Sequence, residues 1–166
     1  MVFEKGIWNE QEYISYWIET EDYKKFDNIR QVSAICINDL GEILLIKNPK
    51  KNTWSLPGGT PEGDETVEET LIREVDEEAS CDIEIISLLG VIEVNFPNNP
   101  NKNEGEIFHQ LRFLAKIKNI KKQTIDPDKG IILDRIFVKP EIFLKFIPWT
   151  KIIGKEILYS TLKKLK

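Results

Sequence analysis

The chain has 166 residues, 28 acidic and 23 basic, with a formal charge of -5 and 41% apolar side chains. That length suits one domain able to bury roughly two thirds of its unfolded surface, and no apolar run approaches the ~20 residues of a membrane helix. The opening Met1-Val2-Phe3-Glu4-Lys5 lacks the basic patch and apolar run of a secretory leader, so no membrane partner and a cytoplasmic location are the expectations.

Residues 1 to about 29 set Trp8, Tyr13, Trp17 and Tyr23 among charges. Asn9 can act as an N-cap, and a short helix is predicted from it through Trp17. The stretch reads as an N-terminal extension, residues 1–29, packed on a main domain at 30–166. Its aromatics suit simple packing, a substrate pocket or a homodimer contact. Gln31 to Asn38 alternates and is rich in Val and Ile, Asp39-Leu40-Gly41 supplies turn chemistry, and Glu42 to Lys47 resumes an apolar run, which predicts a hairpin. A polar loop at Asn48 to Asn52 leads to Trp54-Ser55-Leu56-Pro57-Gly58-Gly59.

Thr66 then caps a helix, because Glu69 stands three residues later in a capping box and Val67 to Ala79 holds neither Gly nor Pro. Ile83 to Phe96 is rich in strand formers, and Pro97 to Asn103 is a loop. Ile107 to Lys118 reads as a half-buried strand: Ile107, His109, Leu111, Phe113, Ala115 and Ile117 share one face, while the other includes Gln110, Arg112, Lys116 and Lys118. His109 is expected to be packed and hydrogen-bonded rather than catalytic. After a turn at Asp126 to Gly130, Ile131 to Val138 forms a last strand and Pro140 opens a short helix. Thr150 to Leu165 forms a C-terminal helix, with Ile153, Ile157, Leu158, Leu162 and Leu165 along one side. The sum is α/β, a mixed sheet with helices against it.

Charge is spread unevenly along this chain. Gly59 to Glu84 holds eleven carboxylates against one Arg, which leaves +5 over the remainder. No dense basic stripe with interleaved aromatics is present, so nucleic acid is not expected as a partner. Cys36 and Cys81 have no metal-ligand spacing and read as two reduced, buried thiols. At about 100° per residue, Glu74, Glu77 and Glu78 fan over roughly 100° of one helix side, bordering a face of Leu71, Ile72, Val75 and Ala79. None of the three has a basic residue four positions later, so the cluster repels itself unless cations enter it. Carboxylate oxygens without His or Cys suit Mg2+, or Mn2+, rather than Zn2+.

Gly59, Glu65, Arg73-Glu74, Val75, Glu77-Glu78 and the apolar Cys81 stand at the spacing of the Nudix box. The chain resembles the Nudix hydrolases, Mg2+-dependent enzymes that cleave diphosphate linkages. The resemblance implies an α/β/α sandwich with a mixed sheet. It also implies water attack on phosphorus in a small nucleotide, either a nucleoside diphosphate linked to a further group or a nucleoside triphosphate. Carried over residue by residue, Glu77 and Glu78 are metal ligands and Glu74 is a ligand or the general base. Gly58 offers its backbone carbonyl to the metal, Arg73 orients the glutamates, and Gly59 and Glu65 shape the loop entering the helix. A downstream carboxylate often completes the metal shell in the family, and Glu104, Glu106, Asp126, Asp128 and Asp134 compete for that place. Asp134 is the choice, because Asp134-Arg135-Ile136-Phe137-Val138 resembles the acidic, then aromatic-apolar strand late in many members; a solvent-facing strand Asp is the other reading. Pro97 lies sixteen residues beyond the box, a spacing associated with ADP-ribose pyrophosphatases, which by itself names no substrate.

Ser80 stands where the family has Gly. A side chain in the left-handed conformation that ends such helices costs roughly 1–2 kcal/mol, so the strain falls on the helix exit and not on the glutamates. Two other readings compete with the hydrolase. One is a nucleotide-binding sensor on the same scaffold that no longer turns over, and the other is an interaction module that docks through the acidic helix.

Overall fold

The structure is a computed structural model that describes residues 1–98, 106–147 and 150–166. In chain order the elements are β1 (Val2–Trp8), β2 (Gln11–Glu19), β3 (Ile29–Ile37), β4 (Ile43–Lys47), β5 (Gly58–Gly59), α1 (Val67–Ala79), β6 (Cys81–Phe96), β7 (Glu106–Ile120), β8 (Asp134–Val138), α2 (Pro140–Phe146) and α3 (Ile152–Lys164). The strands form one sheet in the order β1-β2-β6-β7-β3-β4-β8, with β5 paired to β3 off that path. The β3–β7 pair is parallel and the others are antiparallel, so the sheet is mixed as expected.

Period-two alternation sends successive β3 residues into different cores. Val32, Ala34 and Cys36 pack with Val67, Leu71, Val75 and Ala79 of α1. Ile35 and Ile37 pack on the other side with Phe143 of α2, Ile147, and Ile153 and Ile157 of α3. The result is the α/β/α sandwich. Leu162 on α3 and Leu165 just past its end stay exposed, so the buried stripe is shorter than the sequence pattern predicts. No helix among the described residues is long and apolar enough to cross a membrane.

The N-terminal stretch differs from its expectation. Instead of a helix from Asn9 to Trp17, Asn9 and Glu10 adopt φ of 47° and 65° and turn β1 into β2, with Trp8 opposite Gln11. Two positive φ values make the hairpin turn whose twist matches its strands, and Asn tolerates that conformation. The alternation of Tyr13, Ser15 and Trp17 with Ile14, Tyr16 and Ile18 outweighs the capping signal at Asn9. Ser15 and Trp17 are buried, and β2 pairs with β6 from Ile14–Asn95 to Glu19–Gly90. These residues therefore form the edge of the main sheet.

Strand β7 also departs from expectation. Arg112, placed by the sequence on a polar outer face, is 3% exposed, while Ile107 on the apolar face is 48% exposed. In the middle of a sandwich both strand faces are covered, and alternation then separates two interiors rather than core from water. His109 is buried as expected, with Nδ1 2.6 Å from the Asp27 carbonyl and Nε2 3.4 Å from Glu93. Of the predicted loop at Pro97 to Asn103, only Pro97 and Asn98 lie within the described residues.

Candidate active site

The acidic helix starts where its sequence says it should. Thr66 Oγ1 accepts the Glu69 N–H at 3.1 Å, and Glu69 Oε2 accepts the Thr66 N–H at 2.9 Å, a reciprocal cap that satisfies two otherwise orphaned donors. Its buried residues are Val67, Thr70, Leu71, Glu74, Val75, Glu78 and Ala79. At about 100° per residue the centre of that arc lies near Glu78, so Glu74 and Glu78 sit within the buried face and not at its border. Ile72, expected on that face, lies over a quarter turn away and is 49% exposed.

Two glycines press the preceding loop onto these carboxylates. Gly58 and Gly59 pair with Ser33 and Val32 of β3, on an edge that β4 meets only at Ile37–Ile43. Gly58 has φ 151°, and a Cβ there would overlap the Val32 carbonyl and Ser33; on Gly59 it would run into the Glu74 carboxylate. With no side chain in the way, the Gly58 N–H donates to Glu78 Oε2 at 2.8 Å.

Arg73 ties the cluster together. Its Nε and Nη2 donate to the two oxygens of Glu65 at 2.7 and 3.1 Å, and its Nη1 donates to Glu74 Oε1 at 3.0 Å and Glu77 Oε2 at 3.1 Å. One guanidinium thus fixes the loop carboxylate and aims two helix carboxylates. The Arg73 bond holds Glu65 down at about 2. Burial raises Glu74 above the usual carboxylate range, with Arg73 opposing it. Burial likewise pushes Glu78 up to about 7, against the Gly58 N–H and Lys129.

Ligand oxygens of Glu74, Glu77 and Asp128 lie within 4.8 Å of one another. Asp128 reaches this point through a turn built by Asp126, which is 1% exposed and whose Oδ1 accepts the N–H groups of Asp128 and Lys129 at 2.9 and 2.8 Å. Lys129 Nζ then bridges Glu78 Oε1 at 2.9 Å and Asp126 Oδ2 at 3.0 Å. Burial works against that ammonium, but the two carboxylates outweigh it and hold its pKa above the ordinary value. All the clustered donors are oxygens, a set that fits a hard divalent cation.

The other candidate residues lie elsewhere. Asp134 is not in the cluster; it sits on β8 opposite Lys47, with its carboxylate 3.3 Å from the Lys47 ammonium. Glu106 pairs with Arg30, and Glu104 lies outside the described residues. The sequence signal for Asp128 was the turn Asp126-Pro127-Asp128-Lys129-Gly130, which announces its shape but not the helix it folds against.

Ser80 ends α1 in the left-handed region, with φ 50° and ψ 48°. Its neighbours offset the strain. Ser80 Oγ accepts the Thr124 N–H at 3.2 Å, and Arg135 of β8 donates to the Ala79 carbonyl at 2.6 Å, supplying the positive charge that the last turn of α1 lacks.

Across the Ser33–Gly58 pair, on the α3 side of the sheet, opens a cavity of about 640 Å³. Trp8, Tyr13, Phe96 and Phe108 form aromatic walls, and Gln31, Gln110 and Arg112 supply polar groups.

Comparison with known proteins agrees with this architecture. The chain is 41% identical over 81 residues to an ADP-ribose pyrophosphatase of Methanocaldococcus jannaschii, covering 45% of this chain and 47% of that protein. It is 38% identical over 72 residues to putative nudix hydrolase 1 of Caenorhabditis elegans, covering 39% of this chain and 20% of that protein. The chain thus spans less than half the length of these relatives. A Bacillus subtilis pyrophosphohydrolase mutant shares the fold with a TM-score of 0.68 at 20% identity, over 97% of this chain and 96% of that one. The NUDIX domain matches residues 27–152, and on that match the chain belongs to the Nudix family.

Proposed function

We propose that the protein hydrolyses a diphosphate linkage in a small nucleotide, a nucleoside diphosphate joined to a further group or a nucleoside triphosphate. The observation that carries this reading is the convergence of Glu74, Glu77 and Asp128 oxygens within 4.8 Å at the edge of the Gly58–Gly59 loop. Glu74, Glu77 and Asp128 hold a divalent cation in this reading, Mg2+ or Mn2+, with Glu78 and the Gly58 carbonyl beside them. Asp128 takes the place that the sequence assigned to Asp134. The bound ion would lower the pKa of a coordinated water and neutralise charge on phosphoryl oxygens.

The chain's own residues supply the rest. Glu74 is buried beside the loop glycines, where its carboxylate would either complete the ligand set or take a proton from the attacking water. Arg73 holds Glu74 Oε1 and Glu77 Oε2, so it acts as a positioning residue for both. Relatives named ADP-ribose pyrophosphatase and RNA pyrophosphohydrolase set the breadth of the test panel. Release of nucleotide from ADP-ribose, nucleotide sugars, dinucleoside polyphosphates, triphosphates and 5′-triphosphate RNA should require Mg2+ and fall sharply in Glu74→Gln. Ligand-induced thermal stabilisation without product from any of them would replace this reading with the nucleotide-binding sensor.

A further inference from the structure

The cavity on the α3 side has a floor made of hydrogen-bond donors. Arg112 is 3% exposed, and its Nη1 donates to the Leu111 carbonyl at 3.1 Å while Nη2 donates to the side-chain oxygens of Gln31 at 3.0 Å and Gln110 at 2.7 Å. Its Nε has no hydrogen-bond partner among the described residues. No carboxylate pairs with Arg112 among the described residues; Glu4, which also lines the cavity, spends its Oε2 on the Ile152 and Ile153 N–H groups at 2.9 and 3.2 Å. Burial lowers the Arg112 pKa only to about 10, so the guanidinium stays charged at neutral pH. A buried, unpaired cation is costly unless an acceptor reaches it.

The same arginine fixes the orientation of both glutamines. A guanidinium accepts no hydrogen bond, so each amide must turn its oxygen inward and keep its NH2 as a donor. The aromatic walls suit a flat ring: Tyr13 and Phe96 centroids lie 5.7 Å apart, and Phe96 and Phe108 stack at 6.1 Å and 20°. Ser33 lines this cavity and is the strand partner of Gly58, whose N–H binds Glu78. One residue pair therefore separates the cavity from the acidic cluster.

We propose that the cavity receives the base of the nucleotide, and that Arg112, with Gln31 and Gln110, selects bases with an oxo group at purine C6 or pyrimidine C4 (guanine, hypoxanthine, uracil) over those with an exocyclic amine at that position (adenine, cytosine). An oxo group accepts from this floor, whereas an amine sets donor against donor. The assignment rests on the proposed reading in taking the occupant to be a nucleotide, but base binding itself needs no turnover.

The test is calorimetric binding of GMP, IMP, UMP, AMP and CMP in the presence of Mg2+, since none contains a diphosphate to cut. GMP and IMP should bind about tenfold or more tightly than AMP, and UMP more tightly than CMP. Arg112→Met should level these differences. Gln110→Glu, nearly isosteric, replaces a donor by an acceptor and should shift preference toward AMP; circular dichroism melting checks that each variant folds, and Gln110→Glu carries the test if Arg112→Met does not. Equal affinity for GMP and AMP, no binding of any monophosphate, or a preference unchanged in Gln110→Glu overturns the proposal even when hydrolysis is intact. A preference that follows Gln110 in a protein that cleaves nothing keeps the base site and removes the hydrolase reading instead.

Discussion

The two sides of the Ser33–Gly58 pair carry opposite deficits. On the α1 side Glu74, Glu77, Glu78 and Asp128 crowd together, with Arg73 and Lys129 as their cationic partners. On the α3 side a single buried guanidinium, Arg112, has no carboxylate among the described residues. Within each side the charge is incompletely answered, and the answers differ in kind: a cation relieves the first, an acceptor the second. A nucleotide carrying a metal on its phosphates has both, at opposite ends.

Separating these ends experimentally should give the largest effect first. Glu74→Gln should lower kcat by about 100- to 10,000-fold while leaving base preference in the cavity unchanged; loss of both together would show that the two sides act as one. Next in size, Arg73→Gln should weaken Mg2+ binding by about 10- to 100-fold, because it releases Glu74 and Glu77 from their aim. In the same titration Asp128→Asn should weaken the metal and Asp134→Asn should not; the reverse result would return Asp134 to the site.

A pH series sharpens the acid side further. Glu78 titrates at about 7 in the folded protein against an ordinary 4.5, so the folded state holds a proton that the unfolded chain has released. Its contribution to stability is present in full below 4.5, declines as pH rises through about 7, and is flat above. Metal-free protein should therefore lose melting temperature over that window, and Mg2+ affinity should rise across it as the proton leaves. Glu65 works the other way: held at about 2 by Arg73, its contribution is present above 4.5 and lost as pH falls toward 2. The Glu78→Gln variant should lose the upper slope and retain the lower. The smallest effect is at the helix exit, where Ser80→Ala keeps the left-handed strain but removes the Thr124 bond, a loss of about 1 kcal/mol by denaturant unfolding.

The same contrast explains what could be read from the sequence. The bounds and cap of helix α1 were legible to the residue because they lie within one continuous segment, although its buried face turned out to be centred near Glu78 and to leave Ile72 exposed. Which of the competing downstream carboxylates faces the helix was not legible, since only the tertiary fold brings the Asp128 turn against α1, some fifty residues from Glu77. Arg112 was misplaced for a related reason: its face mixes Gln110, Lys116 and Lys118 with Phe108 and Leu114, and such a mixed face does not say whether it meets water or another layer. In β1 and β2 a local signal, Asn9 as a cap, competed with strand alternation, and pairing with β6 decided the outcome.

The N-terminal hairpin bears on the shape of what the cavity admits. Trp8, Tyr13 and Ser15 line the cavity, yet the shared NUDIX domain begins only at residue 27. Gln31, Gln110 and Arg112, which would read the base, lie inside that domain, so the cavity takes its polar floor from the domain and part of its wall from the hairpin before it. A changed side chain at Trp8 or Tyr13 would reshape the room above that floor while leaving Glu74, Glu77 and Asp128 where they stand.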